Sequence, residues 1–153
     1  SEPEAVGRRG LVASTSFNTA SITADAAWAL TRAAADEAER QGVSVCVAVV
    51  DPQGVLKAFL RMDGALAIAV ESCQAKARAA LMGMGSMELA DALTGHWPSL
   101  LSFANDESIS LLGGGLPVME GEQQIAAIGV GGASAEQDIA IAKQALRGCD
   151  LAA

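Results

Sequence analysis

The sequence contains a strand-sized apolar run that is followed almost at once by a second one. Residues 43–50 (VSVCVAVV) are mostly β-branched or small apolar residues, a composition typical of a strand buried on both faces. The next four residues, Asp-Pro-Gln-Gly at 51–54, place proline and glycine where a tight turn needs them. Residues 55–62 then predict the returning strand. Because a parallel neighbour would need a crossover of a dozen or more residues, the two strands are predicted to form an antiparallel hairpin.

The rest of the chain extends this hairpin to an α+β fold, a mainly antiparallel sheet of about five strands with helices packed on it. Helices are predicted over 23–41, from Asp63 to Met82, over the short stretch that begins at Ser86, around 98–104, and from Ser134 to Gly148. A short strand is predicted at 108–112, followed by a glycine loop at 113–117. A second hairpin is predicted from 118–119 through a turn at 120–122 to 125–130.

The composition predicts one acidic domain and disfavours nucleic acid and membranes as partners. With 153 residues, we expect a single domain at 18–153 preceded by a flexible arm at 1–17. The net charge of −8 disfavours binding to nucleic acid and to anionic membrane surfaces. No apolar run reaches the ~18–20 residues of a membrane span, and the first residues lack the pattern of a signal peptide. Three widely spaced cysteines do not resemble a disulfide framework or a zinc site, so a cytoplasmic protein is expected.

The sparse charge of the chain predicts a homo-oligomer. Only 18% of the residues are charged, so a small domain of this kind should leave apolar surface for a partner. The predicted helix 63–82 has alanines around its whole circumference and, after Asp63, only three charged residues, Glu71, Lys76 and Arg78. We therefore expect this helix at a subunit interface, bordered by a ligand pocket near Arg61 and Asp63. The alternative is a monomer whose surface is covered by alanine and glycine.

Six ionisable residues are candidates for acid–base chemistry or for contact with a ligand. They are Arg61, Asp63, Lys76, His96, Glu136 and Asp138. Arg61 and Asp63 stand where a strand leads into a helix. Glu136 and Asp138 lie in the first turn of the last helix, where they either compensate the helix dipole or face a pocket. His96 is the only histidine, and it is either a surface residue, a general base or a ligand to haem iron.

Two further features are open to a functional or a structural interpretation. Glycine clusters expose backbone N–H groups that suit a carboxylate or another oxyanion, although tight turns and close packing explain such clusters equally well. These glycines are Gly114, Gly115, Gly129, Gly131 and Gly132, and their spacing matches neither a dinucleotide-binding fingerprint nor a P-loop. Cys73 stands three residues before Lys76, so it is either a thiol of lowered pKa or a buried packing residue.

Five segments spread over about residues 20–148 form a broader pattern. They are 47–54 (VAVVDPQG), 61–65 (RMDGA), 76–80 (KARAA), 114–118 (GGLPV), and 127–133 (AIGVGGA) with EQD at 136–138. In this order they resemble the GlcG/HbpS family of small haem-binding or haem-degrading domains, which also form the C-terminal domain of some corrinoid adenosyltransferases. The sequence departs from the family pattern at Ala126, where the family usually has glycine, and at Gly131, where it usually has serine.

The resemblance implies a profilin-like fold, an oligomer, and a ligand that is haem or another planar molecule bearing carboxylates. In that interpretation Met84, Trp97 and Phe103 supply apolar contacts, His96 is an axial ligand to the haem iron, and a glycine turn contacts the propionates.

Two alternatives to a haem-binding domain stay open. One is a cofactor-independent enzyme that performs proton transfer, hydration or dehydration, or cyclisation on a small organic substrate with the six ionisable residues. The other is a purely structural oligomer, expected only if the domain has no pocket.

Overall fold

Strand β1 (Cys46–Val50) lies inside a four-stranded sheet in the computed structural model, which describes residues 13–153. The other strands in this part of the chain are β2 (Leu56–Arg61), β3 (Gly115–Glu120) and β4 (Gln123–Gly131). Their order is β2-β1-β4-β3, and every neighbouring pair is antiparallel. All five residues of β1 are buried. The predicted α+β fold with a mainly antiparallel sheet is confirmed.

Helices cover both faces of the sheet. The helices of residues 13–153 are α1 (Ala24–Arg40), α2 (Ile68–Ala79) with a 3-10 turn at Ala80–Met82, α3 (Ser86–Leu93), α4 (Trp97–Ala104) and α5 (Ala135–Gly148). Alternate residues of a strand point to opposite faces. Val47 and Val49 accordingly pack against α1 and α5, whereas Cys46 and Ala48 pack against α2. The core therefore has two layers, one on each side of β1.

Local capping explains where two of the helices begin. The Thr23 side chain accepts a hydrogen bond from the Ala26 N–H at 3.1 Å, which starts α1. Ser134 and Gln137 form a reciprocal capping box that starts α5, as their spacing predicts. Each cap satisfies backbone donors that the first turn of a helix leaves unpaired.

The prediction of a strand at 108–112 is wrong, which reduces the sheet from about five strands to four. Asp106 Oδ1 accepts hydrogen bonds from both the backbone N–H and the hydroxyl of Ser108, which bends the chain. The Ser110 N–H then donates to the Ala75 carbonyl of α2 at 3.1 Å. The segment thus lies against a helix instead of pairing with a strand.

Two predicted boundaries also shift. The helix expected from Asp63 starts only at Ile68, because Gly64 takes a left-handed conformation (φ +82°) that ends the hairpin in a turn. Gly115 and Pro117, expected in a loop, belong to β3. Pro117 is tolerated there because β3 is an edge strand.

The ends of the chain join the fold at two points. Residues 1–12 of the predicted arm lie outside the described residues, and 13–17 are exposed and irregular. The Ile22 N–H donates to the Ile125 carbonyl at 3.0 Å, and near the other end the Met119 N–H donates to the Ala152 carbonyl at 2.8 Å. No helix within residues 13–153 combines the length and the apolar character that crossing a membrane requires.

Candidate functional site

A cleft of about 520 Å³ lies between the C-terminal part of α1 and the end of β2. Four charged side chains line it, Arg32 and Glu39 from α1 and Arg61 and Asp63 from the end of the hairpin. Its remaining walls come from Leu60, Met62 and residues 42–44. The structure therefore brings two of the six ionisable candidates, Arg61 and Asp63, to one cavity. The opposite wall of that cavity is α1, which the sequence analysis did not associate with a ligand.

Arg61 is held in place by its own turn. Its Nε and Nη2 groups donate to the Ala65 carbonyl at 3.1 and 2.9 Å. Three other guanidinium N–H groups make no hydrogen bond to residues 13–153. A guanidinium that is fixed on one edge and open on another suits recognition of a carboxylate. The cleft can thus present an ordered cation beside the carboxylate of Asp63.

Arg32 and Glu39 are the site residues that the sequence analysis missed. They are seven residues apart on α1, a spacing that places both on one face of the helix. That spacing is the only signal in the sequence, and it is shared by many exposed helices. What makes the two residues part of a cleft is the packing of α1 against the sheet beside β2.

Lys76 and Asp138, two further candidates, form a buried ion pair away from this cleft. The Lys76 ammonium donates to Asp138 Oδ2 at 2.9 Å and to the Val130 carbonyl at 3.0 Å. Asp138 Oδ1 accepts from the Ala133 N–H at 3.1 Å. Only 5% and 2% of the two side chains are exposed. Burial raises the pKa of the Asp138 carboxyl, and the nearby ammonium opposes that rise.

The glycine clusters lie where α2 approaches the sheet most closely. A Cβ atom at Gly129 would overlap the carbonyl oxygen of Cys73, and one at Gly115 would overlap that of Lys76. The Gly115 N–H is already occupied, since it donates to Ser86 Oγ at 2.9 Å. Gly114 adopts φ +127°, and a side chain there would meet the Val130 carbonyl. Close packing therefore accounts for these three glycines.

Two glycines at the end of β4 are less crowded. Gly131 has room for a Cβ at ordinary contact distance from Cys73. Gly132 has φ +121° and lies beside the Ser44 carbonyl, so its conformation requires glycine. The contact of the glycine turns with a carboxylate stays a prediction.

His96 lies on a different part of the molecule from the cleft. It is the N-cap of α4, it is exposed, and its Nδ1 lies 2.7 Å from the Ser99 hydroxyl. Trp97 follows it at the start of α4 and is 69% exposed. Phe103 and Met84 are half-buried, and Phe103 lines a smaller groove with Ser102, Asp106 and Ile109. Glu136 is exposed in the first turn of α5.

The interpretation of Cys73 as a reactive thiol is wrong. Its side chain is buried against the sheet, and this burial raises the pKa of the thiol to about 12. The Lys76 ammonium lowers that pKa, but by less than burial raises it. Within residues 13–153, no three His, Cys, Asp or Glu side chains are grouped so that they could hold a metal ion.

Comparison with known proteins finds relatives that span most of the chain. Residues 22–147 match the model of a family described as haem degrading protein HbpS-like. An uncharacterized 15.0 kDa protein from the dhaT-dhaS intergenic region of Citrobacter freundii is 35% identical over 129 residues, which are 83% of this chain and 91% of that protein.

Solved structures show the same fold. The crystal structure of HbpS has a TM-score of 0.80 and 34% identity, over 88% of this chain and 94% of that chain. The crystal structure of a PduOC:haem complex has a TM-score of 0.76 and 28% identity, over 86% of this chain and 97% of that chain.

Proposed function

Since the chain belongs to the HbpS-like family of haem degrading proteins, we propose that it is a small-molecule-binding domain whose ligand is haem. The likeness to a structure solved with haem supports this assignment of the ligand class. The observation in this chain that carries the proposal is the placement of His96 at the exposed start of an apolar helix.

The hydrogen bond between His96 Nδ1 and Ser99 leaves Nε2 of His96 available to bind iron. When Nδ1 carries the proton and donates to the Ser99 hydroxyl 2.7 Å away, the lone pair of Nε2 is free for a metal. A hydrogen-bond partner of this kind fixes the tautomer and the orientation of a ligating imidazole. The tautomer with the proton on Nε2, in which Nδ1 accepts from the Ser99 N–H, lacks that free lone pair. Ligation thus selects one of two tautomers that the local geometry permits.

The helix that follows His96 offers an apolar surface for a porphyrin. No residue of α4 is buried, although its sequence WPSLLSFA is largely apolar. Trp97 and Leu101 are 69% and 55% exposed, and Met87 of α3 is also exposed. Covering such surface releases about 25 cal/mol for each Å² removed from water. Histidine and this apolar surface therefore fit haem, and bound haem would supply an iron centre for chemistry with oxygen.

A hemin titration followed by absorption spectroscopy tests the proposal. The wild type should develop a Soret band that saturates at one haem per chain. His96→Ala should shift that band and weaken binding at least tenfold, and Ser99→Ala should weaken it by about 10- to 100-fold. Arg61→Ala is the control, because Arg61 lines the other cleft, and its titration should match the wild type. The absence of a Soret band in the wild type overturns haem as the ligand, and an unchanged band in His96→Ala overturns His96 as the iron ligand.

The charged cleft supports a second candidate function, cofactor-independent catalysis on a small carboxylate. Arg61 is ordered and has free donors, and the Asp63 carboxylate lies at the same cavity as a candidate base. Succinate is a suitable NMR probe of this idea. It should shift amide resonances of residues 42–44 and 60–63 in the wild type and in His96→Ala, but not in Arg61→Ala. Equal shifts in Arg61→Ala would contradict an anion site at this cleft.

A further inference from the structure

A cavity of about 190 Å³ lies between α3 and α5, beside the edge strand β3. Both helices contact that strand. Among residues 13–153 the cavity shares no lining residue with the cleft at Arg61, and neither His96 nor α4 borders it. We name it the α3–α5 pocket and define it by Glu88, Asp91, Gly115, Leu116, Ile139 and Lys143.

The floor of the α3–α5 pocket is apolar. Leu116 of β3 is only 4% exposed, and Ile139 of α5 is half-buried. The start of α3 lies close to this floor, since a Cβ atom at Gly85 would come within 3.2 Å of Leu116 Cδ2. Drug-sized ligands occupy cavities of about 300–1,000 Å³. The α3–α5 pocket therefore suits a smaller molecule that has an apolar part.

The wall formed by α3 is acidic. Glu88 and Asp91 are three residues apart, a spacing that places them on one face of the helix. Glu88 Oε1 lies only 3.6 Å from the Cβ position of Gly85, so this carboxylate is near the floor of the pocket. Neither carboxylate forms a salt bridge with residues 13–153. Two unpaired carboxylates on one wall favour a cationic group between them.

The backbone of β3 adds a third acceptor at Gly115. The Val130 N–H donates to the Gly114 carbonyl at 2.9 Å. Because alternate residues of an antiparallel strand bond to the same neighbour, the polar groups of Gly115 point away from β4. The Gly115 N–H donates to Ser86 Oγ, but no group of residues 13–153 donates to its carbonyl, although Gly115 is buried. Such an acceptor takes its hydrogen bond from water or from a ligand in the pocket.

The wall formed by α5 is basic. Lys143 lies one helical turn after Ile139, on the same face of α5. Its ammonium forms no salt bridge with residues 13–153. The α3–α5 pocket thus has an acidic side, a basic side and an apolar floor. A simple anion would be repelled by the acidic side, and a simple amine would leave the ammonium of Lys143 without a partner.

We propose that the α3–α5 pocket binds a zwitterionic α-amino acid with a small apolar side chain. The ligand ammonium has three N–H donors, which match the carboxylates of Glu88 and Asp91 and the Gly115 carbonyl. The ligand carboxylate pairs with Lys143, and its side chain covers Leu116. This site is separate from the histidine assigned to haem, so it does not depend on haem as a ligand.

An NMR titration of the full chain with L-leucine tests the site. Leucine should shift the amide resonances of residues 85–91, 115–116 and 139–143. Glu88→Gln/Asp91→Asn should weaken this binding at least about tenfold, because charge-assisted hydrogen bonds are lost. Glu122→Gln, in the exposed turn between β3 and β4, is the matched control and should bind like the wild type. The absence of these shifts in the wild type, or equal binding by the double variant, overturns the proposal.

The same titration in His96→Ala separates this site from the haem proposal. Leucine should bind this variant as it binds the wild type, and Glu88→Gln/Asp91→Asn should still bind hemin normally. Loss of leucine binding in His96→Ala would overturn an independent site.

Two analogues of leucine test whether both charges are recognised. Isoamylamine lacks the carboxylate, and 4-methylpentanoate lacks the ammonium. The wild type should bind leucine at least about tenfold more tightly than either analogue. Lys143→Gln should bind leucine and isoamylamine equally, whereas Lys57→Gln, an exposed lysine on the opposite edge of the sheet, should keep the wild-type preference. Equal affinity of the wild type for leucine and isoamylamine would overturn the zwitterion as the ligand.

Discussion

The Lys76 ammonium lies 2.9 Å from Asp138 Oδ2, and this buried pair joins helices on opposite faces of the sheet. Lys76 belongs to α2, and Asp138 lies in the first turn of α5. The ammonium also bonds the Val130 carbonyl of β4, so the contact passes over the end of the central strands. Every buried side-chain polar atom within residues 13–153 has at least one hydrogen-bond partner, so neither group of the pair is left unpaired. We therefore assign it a structural role.

Removing one partner of this pair should destabilise the fold strongly. Lys76→Met leaves the Asp138 carboxylate buried without a counter-ion, a change that costs about 3–5 kcal/mol of unfolding free energy. Urea unfolding at pH 7 measures the loss. Lys143→Met, at an exposed position of α5, is the control and should change the unfolding free energy by less than about 0.5 kcal/mol. A Lys76→Met protein as stable as the control would contradict the assignment.

The pH dependence of the Lys76→Met variant should reveal the isolated carboxyl. Burial already raises the pKa of Asp138 in the wild type, and loss of the ammonium removes the main influence that opposes this rise. A carboxyl whose pKa is higher in the folded than in the unfolded state contributes stability when the pH is below its unfolded pKa of about 3.9. This contribution to stability is lost as the pH rises through the folded-state pKa. The stability deficit of the variant should therefore be small at pH 3.5 and grow towards pH 7. A deficit that is constant over this range would contradict burial of an unpaired carboxyl.

Close packing of α2 on the sheet should make Gly129 intolerant of any side chain. In Gly129→Ala the new methyl group would overlap the Cys73 carbonyl, so α2 must move away from β4. We expect a loss of about 1–3 kcal/mol or more, as for overpacked cores. Gly148→Ala is the matched control, because nothing lies near its Cβ position at the end of α5. It should be neutral or stabilising by up to about 1 kcal/mol. Thermal unfolding of the two variants measures the difference. A similar melting temperature for both would contradict the close contact between α2 and β4 at Gly129.

Features set by neighbouring residues could be predicted from the sequence, and features set by packing could not. The hairpin at 46–61 depends on a turn of four residues, and the start of α5 depends on Ser134 and Gln137 three positions apart. The residues that determine each of these two features lie within one short segment of the chain. The strand expected at 108–112 does not form, because the Ser110 N–H bonds to the Ala75 carbonyl of α2, a contact that no local pattern reveals.

The candidate site shows the same division. Arg61 and Asp63 are two residues apart and line one cleft together, whereas the rest of α1, β1 and most of β2 separate Arg32 from them in the chain. Lys76 and Asp138 are predicted as separate candidates for catalysis because they lie 62 positions apart in the sequence, which gives no indication of their contact. Gly115 and Gly129, two of the five glycines that suggested an anion site, lie where α2 touches the strands. In each case the missing information is the position of a helix on the sheet.

Lowering the pH should destabilise the C-terminal end of α1, because the Glu37 carboxylate becomes protonated. Arg40 donates to both Glu37 oxygens, at 2.6 and 2.9 Å, and Gln41 donates to one of them at 2.8 Å. These bonds lower the pKa of Glu37 to about 2. A lowered folded-state pKa contributes stability above the unfolded value of about 4.3, and this contribution is lost as pH falls through about 2. NMR titration of the Glu37 carboxyl carbon should show this pKa in the wild type and a higher one in Arg40→Ala. An unchanged titration in Arg40→Ala would contradict the assigned cause.

The three cysteines should differ sharply in their reactivity. Cys46 and Cys73 are wholly buried between the sheet and α2, whereas Cys149, directly after α5, is half-buried. With its pKa raised to about 12, the Cys73 thiol is ionised to roughly one part in 10,000 at pH 8, and only the thiolate is a nucleophile. One thiol per chain should therefore react with a reagent such as DTNB in the native protein. All three thiols should react after unfolding in guanidinium chloride. Cys149→Ser should abolish the native reaction and leave two equivalents on unfolding. A fast native reaction that persists in Cys149→Ser would show that Cys46 or Cys73 is accessible, and would contradict the packing of α2 against the sheet.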